Sequence, residues 1–392
     1  MPRHSPLLRK GFTLVELLVV LAILLLLMAM LLPAIQRVRE SANKMVCASH
    51  LRQIGQAVHL YLASNNQLFP SGGGDNPNPR TLNAAGLPTI RVEQDWGWMY
   101  QILPYMEQDS LWRLRSPSKP VASYFDPAYG TDPAADAQIV ATPIEAYFCP
   151  SRRNPQVIKT DDPMLGMRAM NDYAGNIGAF TLYDENGTYH SACANDEGYE
   201  EGKPKNPFRN GVFVKSRYFK GKSSFAVDTA IHVRDISDGL ANTLLAGDKR
   251  MNITAFNQTQ FGDIDGFTAG YIADTLRSGQ NPPSRDFYND NPNFGNDRFG
   301  SAHPYSINAL FCDGSVRSIS YDIPDNKAVC QVYNSMLGGY GSNKIYPLPD
   351  GPPKPTVPWT GPYPPYCIEL TLFQRLCHRS DGAHVDLHLL DE

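Results

Sequence analysis

An apolar run near the N-terminus constrains this chain more than any other feature. Residues 12–32, FTLVELLVVLAILLLLMAMLL, are interrupted only by Thr13 and Glu16. As a helix rising 1.5 Å per residue the run is about 31 Å long, the thickness of a bilayer's hydrocarbon core. Arg3, Arg9 and Lys10 precede it, with no acid among residues 1–11. The positive-inside rule therefore keeps this leader in the cytoplasm and sends the rest of the chain outward. The run is longer than the ~7–15 apolar residues of a secretory signal, and no small-x-small cleavage site follows it. An anchor fits better than a removable signal peptide.

Averages conceal this anchor. The 392 residues are 42% hydrophobic with a formal charge of −4, values typical of a soluble protein. The balance of 35 basic against 39 acidic residues lacks the basic excess of a nucleic-acid-binding protein. The 31 Gly and 32 Pro point to a loop-rich body and not a helical bundle.

Beyond Pro33 the apolar positions Ile35, Val38, Ala42, Met45, Ala48, Leu51, Ile54, Val58 and Tyr61 recur every three or four residues. This spacing predicts an amphipathic continuation over 33–64, with Arg37, Arg39, Glu40, Lys44 and Arg52 mostly on its other side. Pro33 lacks an amide hydrogen and should kink the helix without ending it. One helix over about 12–64 follows, with a membrane half at 12–32 and a half packed on the body. Residues 65–346 read as one α+β body, 347–366 as a Pro-rich insertion and 367–392 as a C-terminal segment. Within the body, 100–108 reads as helical, and 146–153, 171–180, 210–215, 232–239 and 243–249 read as strands or strand edges. The expected fold is therefore α+β: one long helix against an antiparallel, β-rich, loop-rich body.

Two resemblances sharpen this. Lys10-Gly-Phe-Thr-Leu-Val-Glu16 resembles the processing site of type IV pilins and type II secretion pseudopilins. The resemblance implies cleavage after Gly11 by a prepilin peptidase, which also methylates the new N-terminal Phe12. It further implies that Glu16 pairs with the terminal amine of a neighbouring subunit. An intramembrane carboxylate costs on the order of 2.5–3.5 kcal/mol or more, so such a partner has physical value. Second, Cys47-Ala-Ser-His-Leu-Arg-Gln-Ile-Gly, Phe148-Cys-Pro-Ser, Tyr173-Ala-Gly-Asn and Arg234-Asp-Ile-Ser-Asp-Gly resemble landmarks of one family. With His303 and Asp313-Gly314 nine residues apart, they are similar to the prepilin-like domain-of-unknown-function 1559 family, abundant in planctomycete bacteria. Ala48-Ser49 stands where that family usually has Asn-Asn. The family brings no established activity. It implies a pilin-like shape, a single-pass inner-membrane protein with its body in the periplasm or at the surface, and pilin-like or identical subunits as partners.

Candidate sites in the body read mostly as structure. Asp313-Gly314 suits a two-residue type I′ hairpin turn between strands at 309–311 and 316–319, with His303 bonding across the hairpin. No nucleophile with a second catalytic partner stands near His303 and Asp313, so no catalytic residue is assigned; an exported hydrolase is the enzyme alternative. No cofactor is required. Asp263, Asp265, Asp290 and Asp297 lie in oxygen-rich loops of the kind Ca²⁺ prefers, without the spacing of a Ca²⁺ loop. Cys47, Cys149, Cys193, Cys312, Cys330, Cys367 and Cys377 would face an oxidising compartment, where an odd number leaves one thiol unpaired. Cys377-His378 with His384 and His388 lacks the spacing of a known zinc site. The remaining alternative is a surface glycan-binding module using Trp96, Trp98, Tyr100, Tyr340, Trp359, Tyr363 and Tyr366.

Overall fold

A single helix, α1 (Leu14–Ser64), runs through Pro33 without interruption. The computed structural model describes residues 14–74, 79–117, 121–122, 130–160, 166–178, 199–200, 203–204, 211–216, 230–279, 282–288, 298–323, 372–377 and 379. The end of α1 is chemically marked. The Asn65 side chain donates through Nδ2 to Tyr61 O at 2.8 Å, and the Gln67 N–H closes on Leu62 O at 2.9 Å. Asn66 and Gln67 take positive φ (55° and 59°), the left-handed exit by which helices satisfy their last carbonyls.

Five strands form the sheet that receives α1: β1 (Tyr173–Asn176), β2 (Leu244–Asp248), β3 (Leu276–Arg277), β4 (Ser306–Phe311) and β5 (Val316–Ser320). Their order is β5-β4-β2-β1-β3. Three neighbouring pairs are antiparallel, but the edge strand β3 pairs with β1 in parallel. The sheet is thus mixed where an antiparallel one was expected. β4 is buried along its whole length and shows the two-residue alternation of a strand. Ile307, Ala309 and Phe311 join a cluster with Phe373 and Leu376 of α2 (Leu372–Cys377). Leu310 joins the larger core on the other side, with Leu51, Ile54, Val58 and Tyr61 of α1. Helix and strand approach so closely that a side-chain carbon at Gly55 would fall 2.8 Å from Leu310 Cδ1.

The body-facing seam of α1 differs from the expected stripe. Burial begins at Cys47 and continues through Leu51, Ile54, Val58 and Tyr61, while Ile35, Val38 and Met45 are 60%, 70% and 65% exposed. At 3.6 residues per turn, Ile35, Val38, Ala42 and Met45 lie on the face opposite that seam. The N-terminal continuation of the seam is polar instead. Glu40 and Lys44, read as outward-facing, turn to the body: Glu40 meets Ser151 and His303, and Lys44 donates to Ser306 Oγ at 2.6 Å. The reason is that β4 offers α1 not a uniformly apolar face but Ser306, Asn308 and Leu310 in turn.

Other local expectations divide by where the backbone bonds go. The strands at 171–180 and 243–249 exist as β1 and β2. Residues 146–153 instead form a 3-10 turn at Glu145–Tyr147 and a bend, where the Arg152 and Arg153 amides close on Cys149 O. Residues 233–235 form another 3-10 turn, capped by His232. The 211–216 segment makes no ladder; the Val212 and Phe213 amides both reach Asn176 O. The β4–β5 turn also departs from type I′. Gly314 has φ +84°, but Asp313 is not in the positive-φ region. Gly314 N bonds Phe311 O, Phe311 N bonds Ser315 O, and the Asp313 carboxylate accepts the Ser315 amide at 2.9 Å. This is a three-residue loop, a turn closed by a left-handed glycine bulge.

The two faces of α1 predict opposite mutational responses. Leu51→Ala should destabilise the body by about 2–5 kcal/mol, the usual cost of a core leucine. Ile35→Ser should change stability by no more than about 0.5 kcal/mol. Chemical unfolding of the full chain in detergent, followed by tryptophan fluorescence, checks both.

Candidate functional site

Every residue of α1 from Leu14 to Arg39 is exposed, including the apolar run that carries Glu16 and Pro33. Among the described residues this is the helix long and apolar enough to cross a membrane, and none of its most apolar window is buried in the body. Gly11 and Phe12 lie outside the described residues. An apolar surface of this size on a protein with a complete core of its own belongs against lipid or other helices.

A second assembly of side chains lies where α1 meets the body. Cys47 comes from the helix, Cys149 from the bend after the 3-10 turn at Glu145–Tyr147, and His303 from the loop before β4. All three are fully buried, and their donor atoms lie within 4.8 Å of one another. His303 Nδ1 stands 2.6 Å from Glu40 Oε1, and its Nε2 stands 3.7 Å from Cys149 Sγ. Ser151 Oγ donates to the other Glu40 oxygen at 2.8 Å, and the Cys149 amide donates to Asp172 Oδ2 at 2.9 Å. Asp248, at the end of β2, is buried beside them; its Oδ2 accepts the Asn308 amide at 2.8 Å. Burial pulls the His303 imidazolium down, but Cys149, Asp248 and Glu40 together raise it to about 9. The Cys47 hydrogen bond and burial push the Cys149 thiol well up, so it is no exposed, activated nucleophile.

The His303 side chain therefore turns to Glu40 and not to Asp313, while its backbone carbonyl accepts the Tyr321 hydroxyl at 3.0 Å from the far arm of the hairpin. Asp313 engages Ser315 and, at 3.8 Å, Arg317 at the turn, where Gly314 lies against His59. Sequence reasoning marked Cys47, Cys149 and His303 separately as landmarks but had no means of seeing that they meet. The acid–base partner of His303 is Glu40, from a helix read as facing it away.

A third group takes up two acids of the loops, Asp263 and Asp286. Arg153 grips Asp263 with both guanidinium nitrogens (2.5 and 3.0 Å) and donates through Nε to Asp172 at 2.8 Å. Lys249 Nζ reaches Asp263 at 3.0 Å, and Arg152 makes a two-pronged pair with Asp286. All are buried or nearly so. Asp263, considered for Ca²⁺, thus has its oxygens committed to two cations of the chain. Asp265 is buried, and Asp290 and Asp297 lie outside the described residues. Trp96, Trp98 and Tyr100, considered as a glycan platform, are core residues, with Trp98 stacked on Phe213 at 4.8 Å between centroids. Tyr340, Trp359, Tyr363 and Tyr366 fall outside the described residues, as do Cys193, Cys330, Cys367, His378, His384 and His388. The other four cysteines, Cys47, Cys149, Cys312 and Cys377, are buried free thiols.

Comparison with known proteins adds an independent view. Residues 36–326 match the family described as protein of unknown function (DUF1559), and residues 8–32 match the prokaryotic N-terminal methylation motif. The chain is similar to the type II secretion system core protein G of Pectobacterium carotovorum subsp. carotovorum, 29% identical over 105 residues, which cover 24% of this chain and 67% of that protein. It is also similar to the type IV wide pilus major component PilA4 of Thermus thermophilus, 40% identical over 57 residues, covering 14% of this chain and 44% of that protein. The chain thus spans about two thirds of one curated relative and less than half of the other. No solved structure matches.

The buried ionic group sets an acid limit on the fold. Burial raises the Asp263 carboxyl, but Arg153 and Lys249 outweigh it and hold the group at about 2, below its ordinary 3.8. Its charge therefore stabilises the fold fully above about pH 4, and this contribution is lost as pH falls through about 2. Asp263→Asn should flatten this part of the stability–pH curve and cost about 3–5 kcal/mol at pH 7, because buried Lys249 loses its paired carboxylate and Arg153 keeps only Asp172. Unfolding curves of the full chain between pH 2 and 7 measure both effects.

Proposed function

The chain belongs to the DUF1559 family and carries the prokaryotic N-terminal methylation motif, and on that premise we propose that it is a non-enzymatic, membrane-anchored pilin-like subunit. A prepilin peptidase cuts between Gly11 and Phe12 and methylates Phe12. The subunit then waits in the inner membrane with its body outside, and enters a pilus or a type II secretion-like assembly with copies of itself or other pilin-like subunits. The observation that carries this reading is the fully exposed stretch of α1 from Leu14 to Arg39, held by a helix whose other end is locked into the body.

The chemistry of assembly follows from that arrangement. Cleavage removes Arg3, Arg9 and Lys10, leaving 32 basic against 39 acidic side chains, and creates a terminal amine four residues before Glu16. Between neighbouring subunits, this amine and the Glu16 carboxylate neutralise each other in an apolar medium, where either charge alone is costly. Lipid tails are as apolar as leucine, so the attraction between helices comes from close packing and this polar pair. The exposed stripe of Ile35, Val38, Ala42 and Met45 extends the packing surface beyond the membrane, on the side of α1 away from the body.

Mass spectrometry of the mature N-terminus should find a chain beginning at Phe12 and carrying one added methyl group. Glu16→Ala should leave membrane insertion intact and abolish assembly, seen as loss of sheared or pelletable polymer. Polymer at wild-type levels in that variant would overturn the mechanism.

A further inference from the structure

The buried thiols at the point where α1 enters the body have a geometry that the pilin-like reading does not use. We propose that Cys47, Cys149 and His303 form a buried structural site for a thiophilic divalent cation of the zinc class. The inference stands independently of processing at Gly11.

Four observations support it. The first is spacing: sulfur and nitrogen ligands on one tetrahedral zinc, at ~2.3 and ~2.0–2.1 Å, stand about 3.5 Å apart. Cys149 Sγ and His303 Nε2 are 3.7 Å apart, and Cys47 Sγ joins them within 4.8 Å. A contraction of about 1 Å or less closes the site around an ion. The second is the ring orientation. A carboxylate only accepts hydrogen bonds, so the 2.6 Å contact with Glu40 places a proton on His303 Nδ1 and turns Nε2 toward the thiols. A carboxylate behind a histidine in this way is the usual second shell of a zinc ligand. Glu40 is itself fixed by the Ser151 hydroxyl, and Cys149 by the Asp172 carboxylate on its amide.

Third is a buried negative charge beside the group: Asp248 is fully buried and its carboxylate favours positive charge at the site, although it stands outside the 4.8 Å set of donor atoms. Fourth is chemical type. Two sulfurs with imidazole suit zinc better than the hard cations that carboxylate loops select. Binding exchanges two thiol protons, released to solvent, for one dication, leaving the sulfur–metal unit without net charge. Complete burial leaves no room for substrate, so the role is structural. The site also sits at a mechanically significant place. Cys47 is the first buried residue of α1, so an ion there would clamp the helix to the bend at Cys149 and the loop at His303 just where its exposed half leaves the body.

The test uses the full chain in detergent, purified under reducing conditions and loaded with zinc or cobalt(II) alone. The wild type should retain equimolar metal after dialysis, and cobalt should give a thiolate-to-metal charge-transfer band. Cys149→Ser and Cys47→Ser should lose that band, and Glu40→Gln should weaken zinc affinity about 10–100-fold. A serine in the core can itself unfold the chain, so a wild-type measurement stands beside these variants. Zinc should protect Cys47 and Cys149 from alkylation while leaving Cys312 and Cys377, buried elsewhere, at their unliganded rates. Three results would overturn the proposal: a wild type that retains no metal, a folded Cys149→Ser chain that binds as well as wild type, or an intact Cys47–Cys149 disulfide in protein from its own cells.

Discussion

The docking of α1 on β4 is the contact on which the remaining architecture depends. α1 is 51 residues long, and its first half meets nothing in the body. Its orientation is therefore set entirely by the seam from Glu40 to Tyr61. That seam is graded: a charged and hydrogen-bonded end at Glu40 and Lys44, thiols at Cys47 and Cys149, then a dry core at Leu51, Ile54 and Val58. The dry part supplies affinity, at roughly 1.5–3 kcal/mol for each large apolar side chain buried. Polar contacts at the upper end fix rotation and register, because a slip of one residue would remove Glu40 from His303 and Ser151. A helix that buries one face on its own body and leaves the other exposed needs both.

Behind the sheet, the body solves a different problem. Its strands are short and its loops many, so the interior cannot be filled from regular elements alone. Loop segments far apart in sequence are instead joined by buried charge: Arg152 and Arg153 in the bend after Cys149, Asp172 before β1, Lys249 after β2, and Asp263 and Asp286 in later loops. Such a network adds little net stability over an apolar core of equal volume, but each member is costly to leave unpaired. Its geometric demands suit a body in which loop positions must be specified individually. The same bend that carries the arginines positions Cys149 against α1, so the charge network and the thiol–imidazole group share a support.

Much of this was legible in the residues. The anchor and the extent of the long helix followed from hydropathy and from spacing. β1 and β2 were read from runs that do become strands. What failed to transfer were segments whose backbone partners lie far away: residues 146–153 bend because the arginine side chains turn inward to carboxylates, and 211–216 is tied to Asn176 without a ladder. The β4–β5 turn has the expected glycine but one more residue than a type I′ loop, because the Asp313 carboxylate bonds forward to Ser315. Of the candidate sites, His303 was singled out, yet its partners were not; Glu40 looked like a solvent-facing helix charge, and the two cysteines looked like isolated landmarks.

By itself the sequence determined the features that arise from local chemistry: an apolar helix long enough to cross a membrane, a basic leader before it, and the acid at Glu16 within it. These need no partner in the fold, because hydropathy and charge act on a segment as it stands. Tertiary structure decided which face of α1 looks inward, which histidine neighbour is its acid, and that Asp263 serves cations of the chain instead of a free ion. Helical periodicity allowed two apolar faces on α1, and only the polar alternation of Ser306, Asn308 and Leu310 on β4 selected between them. Buried charges and thiols acquire meaning from groups more than a hundred residues away, and no local pattern encodes that distance.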